Sequence, residues 1–190
     1  MQGGMPVNEV VASRHSSRTF NPAREVPDSV LGQILWMSVG VNRAKADHDM
    51  GGNPADRCNP TAINRQEVTA YVFDRDGVWE YMPRTHSLAL RAEGDYRALM
   101  AGTAEFSQDF VLDAPASILL VTDASRFEGD RAMACALLDA GIANQNLNLA
   151  CASLGVATVP RATMDAAGIS ALLGLSPMQI PALNNPVGYE

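Results

Sequence analysis

A chain of 190 residues, 47% of them hydrophobic, is long enough to bury one substantial core and short enough to read as one domain over 1–190. With 14 basic against 21 acidic residues it carries a formal charge of −7, which argues against nucleic acid as a partner. Three widely spaced cysteines (Cys58, Cys135, Cys151) form neither a metal-ligand pattern nor a disulfide framework. Met1–Ser13 lacks a signal-peptide apolar run, and no uncharged stretch is long enough to span a bilayer. A soluble cytoplasmic protein with no membrane partner is the expectation.

The first chemistry-bearing stretch is Arg14-His15-Ser16-Ser17-Arg18-Thr19-Phe20, which sets two guanidinium groups, an imidazole and two hydroxyls close together. Arginine forks and serine hydroxyls suit a phosphate dianion. Pro27-Asp28-Ser29 then opens an amphipathic helix with Val30, Leu31, Ile34, Leu35 and Ser38 on one face and Gly40 at its stop. From Asn42 to Asn59 turn formers dominate, and the segment reads as a mobile surface loop. His48 between Asp47 and Asp49 reads as part of that acidic loop rather than as a metal site.

Val68–Phe73 and Val78–Tyr81, joined by Asp74-Arg75-Asp76-Gly77, predict a β-hairpin. The two aspartates also open a calcium-loop pattern, but its later glycine and terminal Glu are missing, which favours a turn. A short helix is expected around Leu88–Met100, interrupted by Gly94, followed by a buried central strand at Ala116–Val121. The longest pattern, Asp130 to Ser153, is a helix with one stripe at Met133, Leu137, Ala140, Leu147, Ala150 and Leu154 and a second at Leu138, Ile142 and Leu149. It therefore needs covering on two faces, by this chain or a second copy. Gly155 ends it, Val156–Val159 is a strand, Met164–Leu173 a last helix, and Ile180–Tyr189, with Pro181 and Pro186, an edge or arm strand. The sum is an α+β chain built on a mixed β-sheet flanked by helices.

Four blocks in series resemble the FMN-dependent nitroreductase family: Arg14–Phe20, Pro60-Thr61-Ala62-Ile63-Asn64-Arg65-Gln66, the long helix running into Leu154–Arg161, and the ending Asn185-Pro186-Val187-Gly188-Tyr189. The resemblance spans nearly the whole chain and implies a compact member of the family. It implies a nitroreductase-like fold with a long central helix and an extended C-terminal strand exchanged in a homodimer whose flavin sites lie at the interface. By that resemblance Arg14, His15, Ser16 and Arg18 hold the FMN phosphate and ribityl chain. Asn64, assisted by Gln66, reaches the flavin ring system from the partner subunit; Pro60, Thr61 and Ala62 match the family's cofactor-binding Pro-Ser-small stretch; and Pro160, Arg161 and Ala162 direct backbone N–H groups at the ring, with Arg161 near the ring or an anionic substrate. Ala162 stands where the family often has Gly, Glu67 where some relatives have a basic residue, and acidic Glu190 where many have Lys or Arg, which implies weaker phosphate binding.

The implied activity is a cytoplasmic FMN flavoprotein oxidoreductase: NAD(P)H reduces the flavin, which then reduces a small nitroaromatic, quinone or other conjugated acceptor in a ping-pong cycle. Since the flavin carries the chemistry, no side-chain catalytic acid, base or nucleophile and no metal is expected. Two alternatives share the cofactor: a non-catalytic FMN-sequestering protein, and a flavin dehydrogenase in a peptide-modifying complex.

Overall fold

Two apolar sets that alternate along the central strands organise the chain. The computed structural model describes residues 5–43 and 52–190. Its helices are α1 (Val7–Ser13), α2 (Asp28–Val39), α3 (Ala98–Ala101), α4 (Ala132–Leu154) and α5 (Ala166–Leu173). Its strands are β1 (Val41–Arg43), β2 (Asp56–Arg57), β3 (Thr69–Phe73), β4 (Gly77–Met82), β5 (Ser87–Glu93), β6 (Ala116–Asp123), β7 (Ala157–Thr158) and β8 (Gln179–Gly188). In β3 and β6, Ala70, Val72, Ile118 and Leu120 face one way, while Tyr71, Phe73, Leu119 and Val121 face the other. A strand apolar on both sides needs cover on both. The first set packs under α2 and α4, and the second under α3 and α5.

The main sheet has the order β5-β4-β3-β6-β8-β7, and β1 pairs with β2 separately. The α+β class agrees with the sequence pattern, but every ladder is antiparallel where a mixed sheet was expected. The reason is topological. β6 and β7, joined through α4, both run opposite to β8 and hence parallel to each other, but β8 inserts between them, so the crossover unit is split. β8 is accordingly an interior strand of this chain's own sheet rather than an edge or arm. Its prolines are tolerated because β7 reaches only Val187 and Gly188, and a register shift lies at Leu120/Val121, where Val121 faces Pro181.

Local chemistry explains most boundaries. α2 starts after Pro27 and stops at Gly40, where a Cβ would collide with the Trp36 carbonyl. In the β3–β4 turn Asp74 Oδ1 accepts from the backbone N–H of Asp76 (2.9 Å) and Gly77 (2.8 Å), an Asx turn and not a calcium loop. The helix expected around Leu88–Met100 is mostly strand: Ser87–Glu93 pairs along its length with β4, and Gly94 at φ 108° turns the chain before the short α3. The acidic segment at 44–51, including His48, lies outside the described residues, and the rest of the expected Asn42–Asn59 loop contributes β1 and β2.

α4 buries Ala140, Leu147 and Ala150 of its first stripe, but in its N-terminal half it buries small residues instead of Met133 and Leu137. Ala132, Ala136, Ala140 and Ala143 face inward, whereas Met133, Leu137, Leu138 and Ile142 are exposed. Two buried hydroxyls close the gap that small side chains permit. Thr122 Oγ1 donates to the Ala136 carbonyl and Ser38 Oγ to the Ala143 carbonyl, each at 3.0 Å and seven residues apart on one helix face. Leu120→Ala is expected to lower the unfolding free energy by about 2–5 kcal/mol and Leu88→Ala, on the exposed edge strand, by less than about 1 kcal/mol, both measured by urea titration.

Candidate functional site

The Arg14–Arg18 segment leaves α1 in extended conformation and is pinned to β7 by the Ser17 N–H donating to the Thr158 carbonyl (3.0 Å). Alternation along an extended chain splits the cluster into two sides. Ser13, His15 and Ser17 line a cleft of about 330 Å³ that also meets Arg24, Thr158 and Tyr189. There the His15 Nδ1 faces the Ser13 carbonyl (3.0 Å), Ser17 Oγ donates to Glu190 (2.6 Å), and the Arg24 guanidinium lies 3.6 Å from the Tyr189 ring centre. Arg14, Ser16 and Arg18 are absent from that cleft, and their side chains make no hydrogen bond or ion pair among the described residues. These uncommitted donors fit a phosphate, whereas the His15 ring belongs to the other side.

The second predicted block forms a turn in unusual backbone. Ile63, Asn64 and Gln66 have φ of 46°, 55° and 53°, the left-handed region that costs a non-glycine residue about 1–2 kcal/mol. For β-branched Ile63, 46% exposed, the conformation is an outlier. Such backbone persists only where its surroundings hold it. Gln66 N–H donates to Thr61 Oγ1 (3.0 Å), and the Gln66 carboxamide donates to the Ala55 carbonyl (2.5 Å) and to Asn64 Oδ1 (2.8 Å). Asn64 Nδ2 donates to Asp56 (3.2 Å), and its carbonyl accepts from Asn53. Ala62 N–H donates to Asp139 Oδ2 of α4 at 2.7 Å. Pro60, Thr61 and Asn64 line a second cleft of about 360 Å³ together with Arg57 and Asn59.

Glu67, next to this turn, points inward and does not face solvent. It is 5% exposed, beside Asp139 at 4%. Burial, joined by the Asp139 charge, pushes the Glu67 carboxyl up to about 7, against the pull of its own backbone N–H and of Arg57. Asp139 is raised by burial but held down by the Ala62 N–H. Burial lowers Arg57 to about 10 while the Glu67 charge opposes that shift.

In the third block the Arg161 side chain is turned inward, away from solvent. At 6% exposure it donates to Gln108 Oε1 (2.8 Å), the carbonyls of Met100 (2.7 Å) and Ala101 (3.1 Å), and Asn184 Oδ1 (2.9 Å). Its backbone N–H and carbonyl are both bonded to Asn184 at 2.8 Å. The expected role of its side chain at a ring or an anionic substrate is therefore corrected: Arg161 ties the loop after β7 to α3 and β8. The exposed Ala162 N–H, by contrast, makes no hydrogen bond among the described residues.

The structure thus joins the first block to the strand leading into Pro160–Ala162 and keeps the Thr61–Gln66 turn apart, with no hydrogen bond between them among the described residues. Asp139 and Asp56, which hold the turn, escaped the sequence reading. The available signal was Asp139 itself, a carboxylate on the small-residue stripe between Ala136 and Ala143. No group of His, Cys, Asp and Glu among the described residues could hold a metal ion, and no described helix is long and apolar enough to cross a membrane.

An antiparallel sheet under a long helix, with a split crossover at β6, β8 and β7, defines the fold as α+β. The chain belongs to the Nitroreductase family, whose model matches residues 11–189. Among solved structures it is similar to a protein of Ralstonia eutropha JMP134 assigned to the nitroreductases, at 26% identity and TM-score 0.83 over 100% of this chain and 85% of that one. It also shares its fold with an FMN complex of a Desulfovibrio desulfuricans protein of the same assignment (20% identity, TM-score 0.67, 97% and 86% covered). The Escherichia coli microcin synthetase McbBCD complex with truncated pro-MccB17 bound contains a further chain of this fold (14% identity, TM-score 0.72, 95% and 72% covered). No curated protein matches the sequence.

Two substitutions check these roles. Arg161→Lys leaves several buried acceptors without donors and is expected to cost about 2–4 kcal/mol of unfolding free energy in urea. Ile63→Gly relieves left-handed strain at a half-exposed position and is expected to stabilise by about 0.5–1 kcal/mol, seen as a higher melting temperature.

Proposed function

We propose that the protein is an FMN-dependent oxidoreductase that accepts a hydride from NADH or NADPH and reduces a small conjugated acceptor such as a nitroaromatic or a quinone. One observation carries the reading. Arg14, Ser16 and Arg18 offer unspent donors, away from the cleft that His15 and Ser17 line, on a segment hydrogen-bonded to β7 through Ser17, and the loop after β7 carries the Ala162 N–H, which makes no hydrogen bond among the described residues. Bound FMN supplies the two-electron chemistry.

Each group of the chain then has a task. The guanidinium groups of Arg14 and Arg18 and the Ser16 hydroxyl bind the phosphate through charge-assisted hydrogen bonds. The Ala162 N–H, fixed by the Arg161–Asn184 bridge beside it, donates to the ring system, and preorganised donors there favour the electron-rich reduced form. Asn64 contributes from the other subunit. With one N–H on Asp56 and its oxygen accepting from Gln66, its carboxamide still has one N–H and one lone pair to offer.

The assignment calls for a homodimer, because the turn that carries Asn64 has no hydrogen bond to the Arg14–Arg18 segment of its own chain among the described residues. The exposed Met133, Leu137, Leu138 and Ile142 of α4 and Val7 and Val11 of α1 give the apolar surface that a second copy would cover. A second reading, a flavin dehydrogenase within a peptide-modifying assembly, draws support from the fold shared with the microcin synthetase chain.

Purified protein is expected to show an oxidised-flavin spectrum that bleaches when NADH or NADPH is added without oxygen. A flavin that stays oxidised with both donors would indicate a binding protein instead. Arg14→Ala and Arg18→Ala are each expected to raise the FMN Kd by about 10- to 100-fold, the worth of one charge-assisted bond of about 1.5–3 kcal/mol, as read by flavin fluorescence titration. Light scattering is expected to give a dimer; an FMN-loaded monomer would overturn the shared-site arrangement.

A further inference from the structure

The carboxyls of Glu67 and Asp139 come from different elements, the lead-in to β3 and the middle of α4, and both are almost fully buried. Asp139 already spends one oxygen on the Ala62 N–H, a bond that is strongest when Asp139 keeps its charge. With both groups ionised, the Glu67 oxygens have only the weak pull of their own residue's backbone N–H, and neither has a hydrogen-bond partner of normal geometry among the described residues. One proton resolves this. Placed on Glu67, it supplies an O–H that Asp139 accepts, so one buried charge remains instead of two, and it is hydrogen-bonded from both sides. We propose that Glu67 and Asp139 act as a single proton-sharing clamp that holds the left-handed Thr61–Gln66 turn in the shape that presents Asn64, which makes both of them positioning residues for that turn.

The turn needs such a clamp. Its own bonds, Gln66 to Thr61 and Gln66 to Asn64, are internal. The Ala62–Asp139 bond fastens it to α4, while Asp56 and the Ala55 carbonyl fasten it to the segment at β2. The charged and titratable groups facing the pair are Arg57 of β2 on the Glu67 side and, behind Arg57, Tyr81 of β4, Arg84 and Arg126. Arg57 spends Nη1 on the Val68 carbonyl (2.6 Å), and its Nε has no partner among the described residues, so it faces Glu67 without a direct bond to it.

The sign of the pH effect follows. Glu67 binds its proton more tightly in the folded protein, at about 7 against an ordinary 4.5. The folded state therefore holds more protons than the unfolded state between those values, and stability falls as pH rises from about 4.5 to about 7. Above that window two buried carboxylates repel, and the Ala62 bond gives way first.

The functional half of this inference rests on the FMN assignment, whereas the structural half does not, and the experiment separates them. Infrared difference spectra of the full-length protein between pH 5.5 and 8.5 should show a protonated-carboxyl C=O band that disappears with a midpoint near 7. The band should be absent in Glu67→Gln and should shift to the ordinary carboxylate range in Asp139→Asn, where the amide donates to an ionised Glu67. Over the same range the wild-type melting temperature should drop while that of Glu67→Gln stays level. If FMN binds, the wild-type Kd should rise at least threefold from pH 6 to 8.5, with Glu67→Gln flat and Asp139→Ala weak at every pH. No such band, or identical melting profiles for wild type and Glu67→Gln, would overturn the clamp itself. A clamp present in the infrared but without FMN binding in any variant would refute the cofactor assignment alone. A clamp with a pH-independent FMN Kd would refute its positioning role.

Discussion

The close approach of α4 to β6 is the contact on which the other parts depend. Alanines at 132, 136, 140 and 143 leave room for the helix backbone to lie close to its neighbours: Thr122 of β6 donates to the Ala136 carbonyl, and two turns further on Ser38 of α2 donates to the Ala143 carbonyl. Larger residues there would hold the helix away from the sheet and from α2 and break the two bonds. Buried hydroxyls with partners cost nothing, whereas without them each would carry a desolvation penalty of about 1–3 kcal/mol.

Because α4 is fixed in this way, its polar residues become anchors at defined heights. Asp139 reaches the Ala62 N–H and holds the left-handed turn. Below it Asn144 and Asn148 reach Asn185, which secures β8 between β6 and β7. Asn184, the neighbour of Asn185 on β8, accepts from the Arg161 guanidinium and bonds its backbone, which sets the loop that ends in the free Ala162 N–H. One helix thus aligns both halves of the candidate site, although no hydrogen bond joins those halves directly among the described residues.

Where pattern and tertiary structure part company, the cause is visible in each instance. The alternation of Ala70 through Phe73 and of Ile118 through Val121 is a two-sided signal that needs no partner to interpret, and those strands stand where expected. Ser87–Leu90 is too short for periodicity to separate helix from strand, and only pairing with β4 decides it. Met133 and Leu137 belong by hydropathy to the buried stripe of α4, but the small residues beside them face inward, where the Thr122 hydroxyl of β6 reaches the Ala136 carbonyl. The cluster at Arg14–Arg18 was legible as chemistry, yet its division into two sides appears only once the segment is seen to be extended.

The sequence by itself determined what depends on neighbours in the chain: the start of α2 after Pro27 and its stop at Gly40, the turn at Asp74, the apolar central strands, and the residue types able to hold a phosphate. Tertiary structure alone decided the insertion of β8 between β6 and β7, the inward turn of Arg161, and the meeting of Glu67 with Asp139, 72 positions apart. The physical reason is burial. Periodicity shows which side chains leave water, but whether a buried arginine finds carbonyls or a buried glutamate finds a second carboxyl depends on contacts between distant segments, which no local pattern encodes.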